Sequence, residues 1–379
     1  MTARPAWLRL DRAQLLLALV LAVLGVTTIY SAGADWGRQI IWIGLGLLAY
    51  IAAARFDYRS LLALAPGIYA GMLLLLVAVH LVGHSALGAR RWLSVAGFPL
   101  EPSELSKLLL VVVLASLMWR APRMSWRVFG LVLVITAAPA ALILTQPDLG
   151  TTIVFVAVLL GMLFAARMRP GQAASLAIAA IVVIPLLPVV LHGYQRRRLE
   201  IFLNPDSDPL GAGYNLLQAK IAVGSGGFFG QGWLHGVQGS LGFVPERATD
   251  FVFAIFAEQF GLLGSLVLLA LYGALLIRVL KSAAAAPDRF GELLAAGVFV
   301  MLLTQVVENI GMNIGVLPIA GIPLPLISYG GSATITTFAA LGVVQSVNLR
   351  QRVVVHTPLA QPPDLVPALE RRVRISPTW

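Results

Sequence analysis

The groups able to do chemistry in this chain stand where apolar runs begin. Asp250 lies in Pro245-Glu246-Arg247-Ala248-Thr249-Asp250-Phe251, where a long glycine-containing segment gives way to an apolar stretch. A carboxylate at such a boundary is partly desolvated, which raises its pKa and suits it to act as a general base near neutral pH. The competing role is a helix N-cap, accepting backbone N–H groups at the positive end of the helix dipole. Position alone leaves both open, and a strong cap would lower basicity. Glu104 and Lys107, in Glu101-Pro102-Ser103-Glu104-Leu105-Ser106-Lys107, are three apart and share a helical face. Lys107 would stand about a turn inside an apolar segment, where a charge needs a partner. It reads either as a local ion pair that snorkels outward or as a group that holds an anion or tunes a nearby carboxylate.

Five arginines suit phosphate or pyrophosphate through their planar forks: Arg90 and Arg91 in Gly88-Ala89-Arg90-Arg91-Trp92, and the run Arg196, Arg197 and Arg198. Ordinary lipid headgroups are the plainer partners for the same side chains. Trp92 reads as an interfacial anchor. Asp148, after Gln146-Pro147, reads first as an N-cap. Glu258 and Glu308 lie inside apolar segments and read as structural partners, since carboxylates there face protein or water rather than lipid. Gly224-Ser225-Gly226-Gly227-Phe228-Phe229-Gly230 lacks the Lys-Ser/Thr ending of a phosphate-binding loop and reads as flexible or re-entrant. The five histidines show no metal-ligand spacing, and cysteine is absent, which excludes disulfides, thiolate nucleophiles and cysteine-built metal sites. No metal-ligating residues are assigned.

These groups must be carried by membrane helices. The 379 residues are 59% hydrophobic and only 12% charged, with mean hydropathy +0.87. A soluble domain carries about 25% charge, so the apolar surface here faces lipid. Runs of roughly 20 apolar residues predict ten spans. They fall near 13–31, 39–53, 60–82, 104–119, 126–144, 149–166, 173–191, 251–277, 291–312 and 330–349, the second being short. The chain thus reads as an all-α integral membrane protein. The net charge of +10 is spread over short loops, which fits lipid headgroups and membrane orientation rather than nucleic acid. With the N-terminus inside, 18 of the 27 basic residues are cytoplasmic. Of the other nine, five lie in the long loop 192–250, leaving four in short loops. Both termini are therefore expected in the cytoplasm. Residues 1–350 form one polytopic domain, and 351–379, with five prolines, reads as a disordered cytoplasmic tail. The segment 192–250 is far longer than a usual connection of about 4–6 residues and holds eight glycines between Gly224 and Gly242. It is expected on the outer side with 83–103, 145–148 and 313–329.

The ordered strings resemble the SEDS (shape, elongation, division and sporulation) family of peptidoglycan polymerases. They are Gly88-Ala89-Arg90-Arg91-Trp92-Leu93, Pro102-Ser103-Glu104-Leu105-Ser106-Lys107, Gln146-Pro147-Asp148-Leu149-Gly150-Thr151 and Gly242-Phe243-Val244-Pro245-Glu246-Arg247-Ala248-Thr249-Asp250-Phe251. The last is Asn309-Ile310-Gly311-Met312 with Gly321-Ile322-Pro323-Leu324-Pro325-Leu326-Ile327-Ser328-Tyr329-Gly330-Gly331-Ser332. Together they span about 88 to 350, and Pro245-Glu246-Arg247 and Asn309-Ile310-Gly311-Met312 look more like the elongation member than the division member. Two departures stand out: Glu101 where the family often has Gln, and Ala248 where it often has His.

The resemblance implies a peptidoglycan glycosyltransferase of the bacterial inner membrane that polymerises lipid II onto a growing glycan strand. Asp250 matches the family's essential aspartate, and Glu104 and Lys107 match further residues on which activity depends. Arg90, Arg91, Asp148, Arg196, Arg197, Arg198, Glu246, Arg247 and Ser328 are the expected substrate contacts. A divalent cation, Mg or Mn, is expected only with the substrate pyrophosphate. The implied partner is a class B penicillin-binding protein, with cytoskeletal elongation proteins on the cytoplasmic side. The rival readings are a flippase for the same lipid, which needs polar residues through the whole bilayer depth, and a scaffold that only positions a partner.

Overall fold

A computed structural model of the chain describes residues 10–351 apart from 87–88, 96–97, 121–123, 191–192, 205–207 and 209–210. The predicted tail beyond 351 lies outside the described residues. In chain order the first elements are α1 (Arg12–Ser31), α2 (Trp36–Arg55), α3 (Ser60–Val82), β1 (His84–Ala86), β2 (Ala89–Val95), β3 (Phe98–Leu100) and α4 (Pro102–Met118). Then come α5 (Trp126–Thr145), α6 (Leu149–Ala165), α7 (Pro170–Val190), α8 (Tyr194–Leu203), α9 (Ala212–Ser225) and α10 (Val237–Ser240). The last are α11 (Val252–Ala284), α12 (Arg289–Asn313) and α13 (Gly331–Leu349).

Each of the ten predicted spans has a helix. Helices α1, α2, α3, α5, α11, α12 and α13 are long and apolar enough to cross a membrane, and α6 and part of α7 are shorter apolar helices. The second span, short in sequence, is a 20-residue helix that starts at Trp36 with Asp35 as its side-chain cap. Asp11, Ser125, Asp148 and Asp288 likewise cap α1, α5, α6 and α12 by accepting the N–H three residues on. Helix α4 is buried along most of its length and, with α6, α12 and α13, forms the centre of the bundle around Leu110, Leu114, Val158, Val298 and Leu341. The outer helices turn Leu64, Leu74, Leu81, Val134 and Ile181 outward, as lipid contact requires.

The chain is an all-α membrane protein, and the connection before α4 adds a small antiparallel three-stranded sheet, ordered β1-β2-β3. The long segment 192–250 is structured and holds α8, α9 and α10.

The glycine-rich stretch is tied into helix α11. Helix α11 breaks at Gly261, whose φ of 66° and ψ of −163° are open to glycine and almost nothing else. In an unbroken helix the N–H groups of Leu262 and Leu263 would donate to the carbonyls of Glu258 and Gln259. Here Leu262 and Leu263 donate to Gly227 and Phe228 at 2.9 and 3.1 Å, while Gln231 and Gly232 donate to Glu258 and Gln259 at 2.9 and 3.1 Å. The segment 227–232 thus splices into the helix and takes over both orphaned pairs. Irregular backbone at membrane depth is tolerated only when its polar groups are satisfied in this way. Glu258 completes the splice, accepting from the N–H groups of Gln238 and Gly239 at 2.7 and 3.0 Å. That is the structural role its place in the sequence suggests.

Candidate active site

A cavity of about 630 Å³ opens at one end of the bundle. Its wall is built from the starts of α2, α4, α6 and α13, strands β2 and β3, and the segments before α11 and α13. The charged lining consists of Arg38, Arg91, Arg198, Glu101, Glu104, Asp148, Glu246 and Asp250.

Asp250 is placed by its backbone. Its carbonyl accepts from the side-chain amides of Asn309 and Asn313, each at 3.0 Å, and Asn309 also donates to the Ile322 carbonyl at 2.8 Å. The neighbouring turn is strapped to the segment before α13: Ser328 Oγ donates to the Thr249 carbonyl at 2.6 Å, and the Tyr329 N–H donates to the Ala248 carbonyl at 2.7 Å. Helix α11 starts at Val252 with Phe251 as its N-cap and no side-chain cap bond. The capping role open to Asp250 in the sequence is therefore not taken up. Its carboxyl is half-buried in the cavity wall. Burial pushes it from the ordinary 3.8 to about 6; Arg198 and Arg91 hold it down, while Glu246 and Asp148 push it up. Gly321, with φ of 72°, lies against it, and a Cβ there would sit 3.3 Å from Asp250 Oδ2.

Glu104 lines the cavity from the first turn of α4, and Lys107 lies behind it. Lys107 Nζ donates to Glu104 Oε1 at 2.7 Å, with 1% and 5% side-chain exposure. The local ion pair is thus formed, but turned inward rather than snorkelling.

Arg91 reaches from β2 to the turn that starts α6. It donates to the carbonyls of Gln146 and Pro147 and stands 3.9 Å from Asp148, which caps α6 through Thr151. Arg198 donates to the Ile319 carbonyl at 3.0 Å from the opposite wall. Arg196 and Arg197 are not in the lining; from α8 they pair with Glu200 on the same helix and Asp208 beyond it, at 2.8 and 3.0 Å, and are more than half exposed. Arg247 donates to the Gly239 carbonyl and Ser328 ties two backbone turns; neither is in the cavity lining. Glu246 lines the cavity and accepts from Thr249 Oγ1 at 3.0 Å. Arg90 lies in β2, with its side chain outside the described ones. Arg38 and Glu101 are additions. Arg38 is one of the four basic residues in short loops on the less basic side, a signal the sequence held. Among the described residues no group of three or more His, Cys, Asp or Glu is arranged to hold a metal ion.

Three comparisons place the chain. The cell cycle protein family model FTSW_RODA_SPOVE matches residues 10–353. The peptidoglycan glycosyltransferase MrdB of Escherichia coli K12 is 42% identical over 353 residues, covering 90% of this chain and 94% of that protein. A solved peptidoglycan synthase complex, described as coordinating polymerization and crosslinking, superposes with a TM-score of 0.79 at 34% identity over 91% of this chain and 99% of that one. The crystal structure of the rod shape determining protein RodA from Thermus thermophilus gives a TM-score of 0.69 at 31% identity, over 91% and 98%. The chain belongs to the FtsW/RodA/SpoVE family, the SEDS polymerases, and within it sides with RodA.

Proposed function

We propose that this chain builds glycan strands from lipid II at the outer face of the membrane during cell elongation. It is a peptidoglycan glycosyltransferase, a multi-pass protein of the bacterial inner membrane. The observation that carries the mechanism is Asp250: an uncapped, half-buried carboxyl with an elevated pKa, in a cavity that also holds Arg91 and Arg198. Asp250 takes the proton from the 4-hydroxyl of the acceptor's N-acetylglucosamine. That oxygen forms the new bond to the anomeric carbon of the donor's muramic acid, with inversion. The bond from that carbon to the lipid pyrophosphate breaks, and the developing anion is met by Arg91, Arg198 and Arg38. A divalent cation would arrive on the pyrophosphate as part of the substrate.

The excess of basic residues in short loops at the opposite end supports an extracytoplasmic site. The placement of the charged cavity at one end of the bundle favours a polymerase over a flippase. The crosslinking half of the solved synthase complex supports a class B penicillin-binding protein as partner. Purified wild-type and Asp250→Asn protein, incubated with lipid II and resolved on a gel, test the reading. The wild type should yield long strands and the variant none. Wild-type rates from Asp250→Asn would remove the base from the mechanism.

A further inference from the structure

We propose that Glu101 binds the substrate as a neutral carboxylic acid, donating its O–H to an anionic oxygen of the lipid-linked pyrophosphate. The inference rests on the polymerase reading and assigns a residue that the reading does not use.

Glu101 lines the cavity beside Glu104 and Asp148. Its backbone is fixed: its N–H donates to Ser332 Oγ at 2.8 Å, and its carbonyl accepts from the Glu104 N–H at 3.1 Å. It stands at the N-cap position of α4, yet its side chain makes no cap bond. Among the described residues the one hydrogen bond to its carboxyl comes from Ser103 Oγ at a long 3.4 Å. The charged groups facing it are Glu104 and Lys107 from α4, Asp148 from the start of α6 and Arg91 from β2; α13 presents the uncharged Ser332. Lys107 is committed to Glu104 at 2.7 Å. Arg91 is committed to the 146–148 turn, and Asp148 has the Thr151 N–H at 3.1 Å. Among the described ion pairs none includes Glu101.

Glu101, Glu104 and Asp148 line one cavity, and a proton held there goes to the carboxyl that, among the described residues, has no cation or N–H partner. Burial pushes the Glu101 carboxyl up to about 8; Glu104 and Asp148 add to the rise, and Arg91 and Lys107 oppose it. An ionised Glu101 would face a pyrophosphate with a charge of the same sign, whereas the neutral acid offers it a donor. A protonated Glu has the shape of Gln and one donor.

The test compares wild type, Glu101→Gln and Glu101→Ala from pH 6.5 to 9.5, by polymerisation kinetics and by binding of lipid II in nanodiscs. The wild type should lose affinity above about pH 8, approaching tenfold per pH unit, with the effect in KM rather than kcat. Glu101→Gln keeps a donor and cannot ionise, so its curve should lack this alkaline limb. Glu101→Ala should also lack the limb but bind more weakly at every pH. Identical binding curves for wild type and Glu101→Gln would overturn the proposal, as would Glu101→Ala binding as tightly as Glu101→Gln. Should no protein polymerise at any pH, the polymerase reading fails, while the binding curves still decide the role of Glu101.

Discussion

The splice in α11 makes a quantitative demand on a single glycine. A Cβ added at Gly261 would lie 2.3 Å from the Gly230 nitrogen and 2.7 Å from the Phe228 oxygen, both backbone atoms of the inserted segment. The φ/ψ pair costs a non-glycine residue roughly 2 kcal/mol in strain. The clash must then push 227–232 away, at about 1 kcal/mol for each backbone bond lost. Losing two of the four bonds brings the total to about 4 kcal/mol, and more if the freed carbonyls of Glu258 and Gln259 face hydrocarbon. Gly273, on the same helix with nothing within 4 Å of an added Cβ, is the control. Alanine there should be neutral or stabilising by up to about 1 kcal/mol, because it improves helix propensity. Thermal unfolding of both variants in one detergent, followed by tryptophan fluorescence, separates the cases. Gly261→Ala should melt well below wild type and lose polymerisation, since 227–232 leads directly to α10 and the Asp250 turn. If Gly261→Ala melts with Gly273→Ala and both polymerise normally, the splice is not what holds this region.

Other expectations follow from the site. Asp250 must be ionised to accept a proton, and its pKa is raised to about 6. The kcat/KM for lipid II should therefore level off above about pH 7, be halved near pH 6 and fall toward tenfold per unit below that, which a stopped assay from pH 4.5 to 7.5 reads directly. Lys107→Met leaves a 5%-exposed carboxylate unpaired and should cost about 3–5 kcal/mol in unfolding; adding Glu104→Gln should restore most of that stability without restoring activity. Asn309→Ala removes donors to the Asp250 and Ile322 carbonyls and should lower kcat more than it raises KM, as a base displaced from its substrate would. A larger effect of Asn309→Ala on KM would place Asn309 in substrate binding instead.

The spans were legible because lipid demands about 20 apolar residues in a row, whatever the detail of packing. The break at Gly261 was not. A single glycine inside an apolar helix pattern is common, and its partner segment lies some thirty residues earlier in sequence. The two glycine signals become one feature only when the chain brings them together. The small sheet before α4 is hidden for a similar reason: β1 and β3 are three residues each, too short for alternation to show.

The arginines show where composition stops short. Arg196, Arg197 and Arg198 are equivalent as a run, but on α8 each is turned about 100° from the next, so one face can present only one of them to the cavity. Arg198 takes that place, and the other two pair on the exposed side. The carboxylates follow the same logic in reverse. Asp148, Glu104 and Asp250 come from three separate helix starts, and helix starts offer N–H groups and positive dipole ends to any acid nearby. Asp148 accepts that offer through Thr151 and becomes a cap. Asp250 stands two residues ahead of α11, makes no cap bond, and is held by its own carbonyl instead. If Asp250 is the base, its placement depends on the bonds from Asn309 and Asn313 to its carbonyl, which is a physical reason for a motif on α12, nearly sixty residues on, to belong with the start of α11.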